Sequence, residues 1–316
     1  MAHLCPVSKH FINWIFFVSL SLIWGSSFIL MKIGLHNHLN AYQVASIRIV
    51  AAGLVLLPVA LKHIRKIPSH QLTLVFLSGL LGSLLPSFLF CIAEQEIDSS
   101  LAGILNALTP VFVILTGTVF FQMKIPAGKI IGISIALAGS ILLLMSKGSI
   151  RESKHPIYAS LVVLATLLYG FNVNMVKKYL LHISSLHLAS VALVLNAVPA
   201  TTILYLTGFF QLPLANPRFM VATGAAFLLG VMGTAVATVI FYMLVKRAGV
   251  IFSSMVTYAI PIVAIAWGVY YGESFGWKQL ICMLIILAGV YIVNKKYSSS
   301  RVNAEYFKHK KTFPVE

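Results

Sequence analysis

The sequence predicts an all-α polytopic membrane protein, with ten transmembrane helices arranged as two inverted five-helix repeats and both termini cytoplasmic. Three observations carry that expectation. Of 316 residues, 59% are hydrophobic and only 9% are charged, where a soluble domain has about a quarter charged. Apolar runs of about 20 residues, long enough to cross a roughly 30 Å hydrocarbon core as helices, recur from residue 11 almost to the end. The chain also matches itself when shifted by 151 residues. Sandwiches, barrels and soluble α/β folds are excluded.

Gly, Pro and charge punctuation divide the runs into helices near 11–33, 42–62, 70–92, 99–121, 128–146, 157–179, 185–207, 218–245, 251–272 and 277–296. The first run, Phe11 to Met31, is too long for a secretory signal and lacks a small-x-small cleavage site, so it reads as a retained helix. Residues 1–10 form a cytoplasmic end, 11–146 a first repeat, 147–156 an external linker, 157–296 a second repeat and 297–316 a basic cytoplasmic tail. With the N-terminus inside, 16 of the 23 Lys and Arg fall on the cytoplasmic side, as the positive-inside rule requires. The joint "EQEIDSS" after helix 3 is acidic and external, while "SKGSIRESKHP" after helix 5 is the one joint whose charge argues the other way.

The net charge of +16 does not gather into a stripe able to track a phosphate backbone, so no nucleic-acid partner is expected. Cys5, Cys91 and Cys282 form no CxxC and no disulfide framework. His36 and His38 have a ligand-like spacing with no Cys or carboxylate cluster to complete it, so no metal and no cofactor is expected.

The shift of 151 aligns "FLSGLLGSLLPSFLF" at 76–90 with "FLLGVMGTAVATVIF" at 227–241, and pairs Pro110 with Pro261 and Gly117 with Gly268. A shift of 145 pairs Trp24-Gly25 with Tyr169-Gly170, and a shift of 150 pairs Ala138-Gly139 with Ala288-Gly289. The unit is five helices. Because five is odd, the second copy enters the membrane upside down, which is the architecture of secondary transporters.

"WGSSFILMKIGL", "SSLAGILNALTPVFVILTG" and "GKIIGISIALAGSILLL" in the first half, with "FSSMVTYAIPIVAIAWGVYYGE" and "LICMLIILAGVYIVN" in the second, resemble the EamA family of the drug/metabolite transporter superfamily. The resemblance covers roughly residues 12 to 296. It implies an integral protein of a bacterial inner membrane that carries small organic solutes such as amino acids, often outward and often with protons. An acidic residue usually follows the fourth helix of such a repeat. Glu273 fills that place in the second half, whereas the first half has Gln122 to Lys124.

Candidate site residues follow from chemistry that is costly in lipid. Pro110 removes a backbone hydrogen bond from helix 4, and the freed carbonyl of Asn106 needs a partner. Asn106, Thr109 and Pro110 share one sector, and Thr257, Tyr258 and Pro261 repeat the device in helix 9, so the two prolines read as paired gate kinks. Packing kinks are the alternative. Trp24 and Ser27 in helix 1, with Asn172 and Asn174 in the matching helix 6, could stack on and hydrogen-bond an organic ligand, or could join helices. Arg48, two turns into helix 2, could bind a ligand carboxylate or fix packing. Glu94, beside Glu96 and Asp98 in what reads as an exposed acidic joint, is the nearest candidate for a proton-binding coupling carboxylate. Lys32 and Lys177 read as interfacial anchors. Gly128, Gly132, Ala136 and Ser140 recur every fourth position, suiting either bundle packing or a dimer seam, so monomer and homodimer both stand.

The expected function is a carrier of a small organic solute in membrane lipid, working by alternating access, with a proton as the candidate coupling ion. Uptake of a nucleotide-like or methyl-donor metabolite is the alternative within the fold, and a membrane-embedded enzyme or passive channel the alternative of another class. Against an enzyme, the chain has no HExxH, GxSxG, Asp-rich or Walker A motif.

Overall fold

The computed structural model describes residues 9–123, 128–145 and 155–294. The expectations for Lys124, the 147–154 part of the linker and the 297–316 tail lie outside the described residues. Among those described, every regular element is helical. Eight helices are long and apolar enough to cross a membrane: α1 Phe11–His36, α2 Ala41–Lys66, α3 Ser69–Ala93, α4 Ser99–Phe121, α6 Pro156–Tyr179, α7 Ser185–Leu206, α8 Pro217–Val250 and α9 Phe252–Tyr270. Two shorter apolar helices, α5 Ile130–Leu143 and α10 Trp277–Ile292, complete the order.

Helix ends in apolar surroundings must satisfy their own orphan donors. At the start of α2, Asn40 Oδ1 accepts the Gln43 N–H at 2.8 Å, and Gln43 Oε1 accepts the Asn40 N–H at 3.1 Å, a reciprocal capping box. Asn216 caps α8 by accepting the Arg218 N–H, with Pro217 in the first turn, where its missing donor costs nothing.

The structure moves the expected break in α4. Helical geometry ends at Asn106 and resumes at Thr109, so Pro110 lies in the first turn of a new segment instead of kinking a continuous helix. The carbonyl left over belongs to Asn106, and the Thr109 hydroxyl donates to it at 2.7 Å. In the second half the interruption falls at Met255, and Thr257 donates to the Ser254 carbonyl at 2.8 Å, while Pro261 lies within the following helix. Each half thus has a broken fourth helix stitched by a threonine.

Two further irregularities match. A π-helical turn occupies Leu80–Leu84 in α3 and another Leu229–Val236 in α8, as the 151-residue shift requires. Such widened turns frequently mark functional sites.

Contacts between the halves are reciprocal. A side-chain carbon added at Gly82 of α3 would overlap the Asn172 amide of α6, and one added at Gly233 of α8 would press on the Ser27 hydroxyl of α1. Gly82 and Gly233 are 151 apart, and Ser27 and Asn172 are 145 apart. Contacts that exchange halves in this way define an approximate two-fold axis. At the edge of the bundle the same relation holds: Gly139 packs against the Ile286 backbone, and Gly289 against the Ala136 backbone. The small-residue stripe of α5 therefore packs on α10, through Gly132 and Ala136.

Candidate functional site

A cavity of about 90 Å³ is lined by residues of both halves. Helices α1 to α4 line it from the first half, and α6, α8 and α9 from the second. The walls repeat as the chain repeats. Trp24 stands 5.3 Å from Phe241, and Tyr169 stands 6.2 Å from Phe90. Shifts of 145 and 151 map each ring pair onto the other.

The matched glycines make room for polar groups. With no side chain at Gly233, the π turn of α8 brings its carbonyl to the Trp24 indole N–H, which donates at 3.0 Å. With none at Gly82, Asn172 lies against the π turn of α3, its amide reaching the Tyr242 hydroxyl at 3.5 Å. Asn172 is buried, and its Oδ1 has no hydrogen-bond partner among the described residues.

Among the described residues lining the cavity Arg48 is the charged one, and it is only 8% exposed. Its Nε donates to Thr234 Oγ1 at 2.6 Å and Nη1 reaches Met31 Sδ at 3.9 Å. Both partners are neutral, and no described carboxylate comes within ion-pairing distance of it. The second terminal amino group makes no hydrogen bond to a described residue.

Of the residues singled out in the sequence, the fold brings Trp24, Ser27, Arg48, Asn106, Thr109, Asn172 and Thr257 to this one cavity. It does not bring Asn174 or Tyr258. Asn174 donates to the carbonyls of Val113 and Gly170 at 2.7 and 2.9 Å and to Thr116 at 3.0 Å, tying α6 to α4. The Tyr258 hydroxyl turns to the Val290 carbonyl of α10 at 3.3 Å. Pro110 and Pro261 are buried and do not line the cavity. The sequence reading missed Phe90, Thr234, Phe241 and Tyr242, although the repeat carried the signal: Phe90 and Ser83 map onto Phe241 and Thr234, and all four line the cavity.

A second cluster joins the halves at one end of the bundle. Glu273, after α9, accepts the Ser99 N–H at 2.9 Å, the Ser100 N–H at 3.0 Å and the Ser100 hydroxyl at 2.7 Å. It thereby caps α4 of the other half, where the helix dipole favours an anion. Burial, which pushes its carboxyl up, is outweighed by the Ser100 hydroxyl, the two N–H groups and Lys32, so the group is held below the usual carboxylate range. Lys32 donates to the Ile97 carbonyl at 2.9 Å, so it is a structural tie and not a free interfacial anchor. Glu94 corrects the reading of an exposed joint, since it is only 1% exposed. Burial pushes its carboxyl well up, against Lys32, with Glu273 adding to the rise and Arg48 opposing it.

Helices long and apolar enough to cross a membrane, wrapped about a cavity shared by two repeated halves, define an integral membrane protein of transporter type. The profile of the EamA-like transporter family matches residues 12–145 and 156–295, one copy per half, and the chain belongs to that family. It is 25% identical to a "Probable terminal-alkyne amino-acid exporter" of Streptantibioticus cattleyicolor, over 89% of this chain and 93% of that one. An "Uncharacterized transporter" of Archaeoglobus fulgidus is 24% identical over 90% of this chain and 99% of its own. The inner membrane transporter YedA of Escherichia coli is 30% identical over 48% of this chain and 49% of its own. One solved crystal structure shares the fold at a TM-score of 0.61 and 13% identity, covering 94% of this chain and 99% of that one. Family and relatives are transporters, not enzymes.

Proposed function

We propose that this protein is a secondary carrier that moves a small, amino-acid-like organic solute by alternating access, with export as its direction. The observation that carries the reading is the cavity on the approximate two-fold axis, lined by equivalent residues of both halves. Rocking one half against the other exposes such a site to each side in turn. The reading takes all ten helices as membrane crossings, inverts the second half and places both termini in the cytoplasm, in accord with the Lys and Arg distribution. The exporter named among the relatives supports both the direction and the solute class. Reconstituted protein should show saturable uptake and counterflow of a labelled amino-acid-like solute, and no counterflow across a broad metabolite panel would overturn the proposal.

A proton is the coupling ion in this reading, held by Glu94. The charged and titratable groups around it are Lys32 of α1, Arg48 of α2, Cys91 of its own helix and Glu273 after α9. Proton uptake at Glu94 would change the balance between those two cations and Glu273. Glu94→Gln should uncouple transport from an imposed pH gradient while leaving counterflow, and a variant still driven by the gradient would remove Glu94 from this role.

A further inference from the structure

We propose that the cavity selects organic anions: solutes with an acidic head for Arg48, a hydrogen-bond donor for Asn172 and an apolar body, aromatic or branched, for the ring walls. The inference rests on the carrier reading above and names its substrate class.

Arg48 is a buried guanidinium in the membrane interior, where an uncompensated charge is costly. Its hydrogen-bond partners among the described residues, a threonine hydroxyl and a methionine sulfur, carry no charge to pair with it. Its free amino group leaves donors suited to a carboxylate or similar oxyanion. No acidic residue is among the described residues lining the cavity. An organic cation entering it therefore meets repulsion and no counter-charge, whereas an anion cancels the charge that the fold has buried.

The opposite requirement comes from Asn172. Its Oδ1 is a buried acceptor with no donor among the described residues, held on the second-half wall by the space that Gly82 leaves. A ligand N–H or O–H would satisfy it. The Trp24–Phe241 and Phe90–Tyr169 ring pairs line the same cavity and supply apolar area.

The charge also breaks the symmetry of the cage. α7, the repeat counterpart of α2, contains neither Lys nor Arg. The ring walls are equivalent in the two halves, but the acidic head has one address, so a bound solute has one orientation on the axis.

Matched probes test this on purified wild-type protein by equilibrium binding. N-acetyl-L-phenylalanine should bind roughly 10- to 100-fold more tightly than its primary amide, the range expected for charge-assisted hydrogen bonds. It should also bind more tightly than 3-phenylpropionate, which lacks the N–H, and 2-phenylethylamine should be the weakest of the set. Arg48→Gln should abolish the preference for acid over amide, and Asn172→Ala the advantage of the N-acetyl group. Should Arg48→Gln fail to fold, the wild-type acid–amide comparison decides alone. Equal or tighter binding of the amide or the amine, or no binding of either acid, would overturn the inference. Anion binding without counterflow would instead leave the selectivity standing and overturn the carrier reading.

Discussion

Glu273→Gln tests the tie between the halves, and its size can be worked from the contacts. The wild-type carboxylate accepts three hydrogen bonds from Ser99 and Ser100. Gln has one acceptor oxygen. Turned to the two Ser100 donors, it places its amide N–H₂ against the Ser99 N–H, so one bond is lost and two lose their charge assistance. A charge-assisted bond is worth about 1.5–3 kcal/mol net and a neutral one about 1 kcal/mol. Because Glu273 is partly exposed, solvent screening favours the low end, and the expected loss is about 2.5 kcal/mol. Thermal unfolding in detergent should show a drop of about 5 °C, taking about 2 °C per kcal/mol for a chain of this size. The pH dependence sharpens the test. A carboxyl held low in the folded state stabilises fully above its unfolded pKa, and that contribution is lost as pH falls through the folded pKa. The melting temperatures of wild type and variant should therefore converge in acid, below the usual carboxylate range of about pH 4. Equal melting temperatures at neutral pH, or a constant gap down to acid, would refute the reasoning.

Gly82→Ala should cut transport at least about tenfold, because the added carbon overlaps the Asn172 amide in the cavity wall. Gly224→Ala, with nothing within 4 Å of the new carbon, should leave transport unchanged, and initial rates in proteoliposomes compare the two. Asn174→Ala should lower stability by about 1–3 kcal/mol by removing the donor that ties α6 to α4. Its KM should stay at the wild-type value, and a raised KM with unchanged melting would return Asn174 to the substrate path. Gly289→Val should reduce folded yield, costing about 1–3 kcal/mol, because α10 meets the Ala136 backbone there. Size-exclusion recovery measures it, and wild-type recovery would show that α5 and α10 separate freely.

The sequence by itself determined the helices, the duplication and the family, because each is written in features that survive any rotation of a helix. An apolar run of membrane length must be helical, since lipid offers its backbone no partner. The shifts of 151 and 145 aligned the segments that carry the π turns, the rings and the glycines before any of them had a place. Rotation is where sequence stopped. Asn172 and Asn174 are two residues apart and look alike on paper, yet about 200° of helix separates them. One lines the cavity and the other ties α6 to α4. In a soluble helix an apolar stripe would have told inside from outside, but in lipid every face is apolar and only neighbouring helices decide. The same holds for Tyr258, which turns to α10, and for Glu94, whose acidic neighbours predict an exposed joint and which the packed bundle buries. Tertiary structure alone placed Arg48 in the shared cavity with no described carboxylate within ion-pairing distance, because burial and pairing depend on what other helices bring.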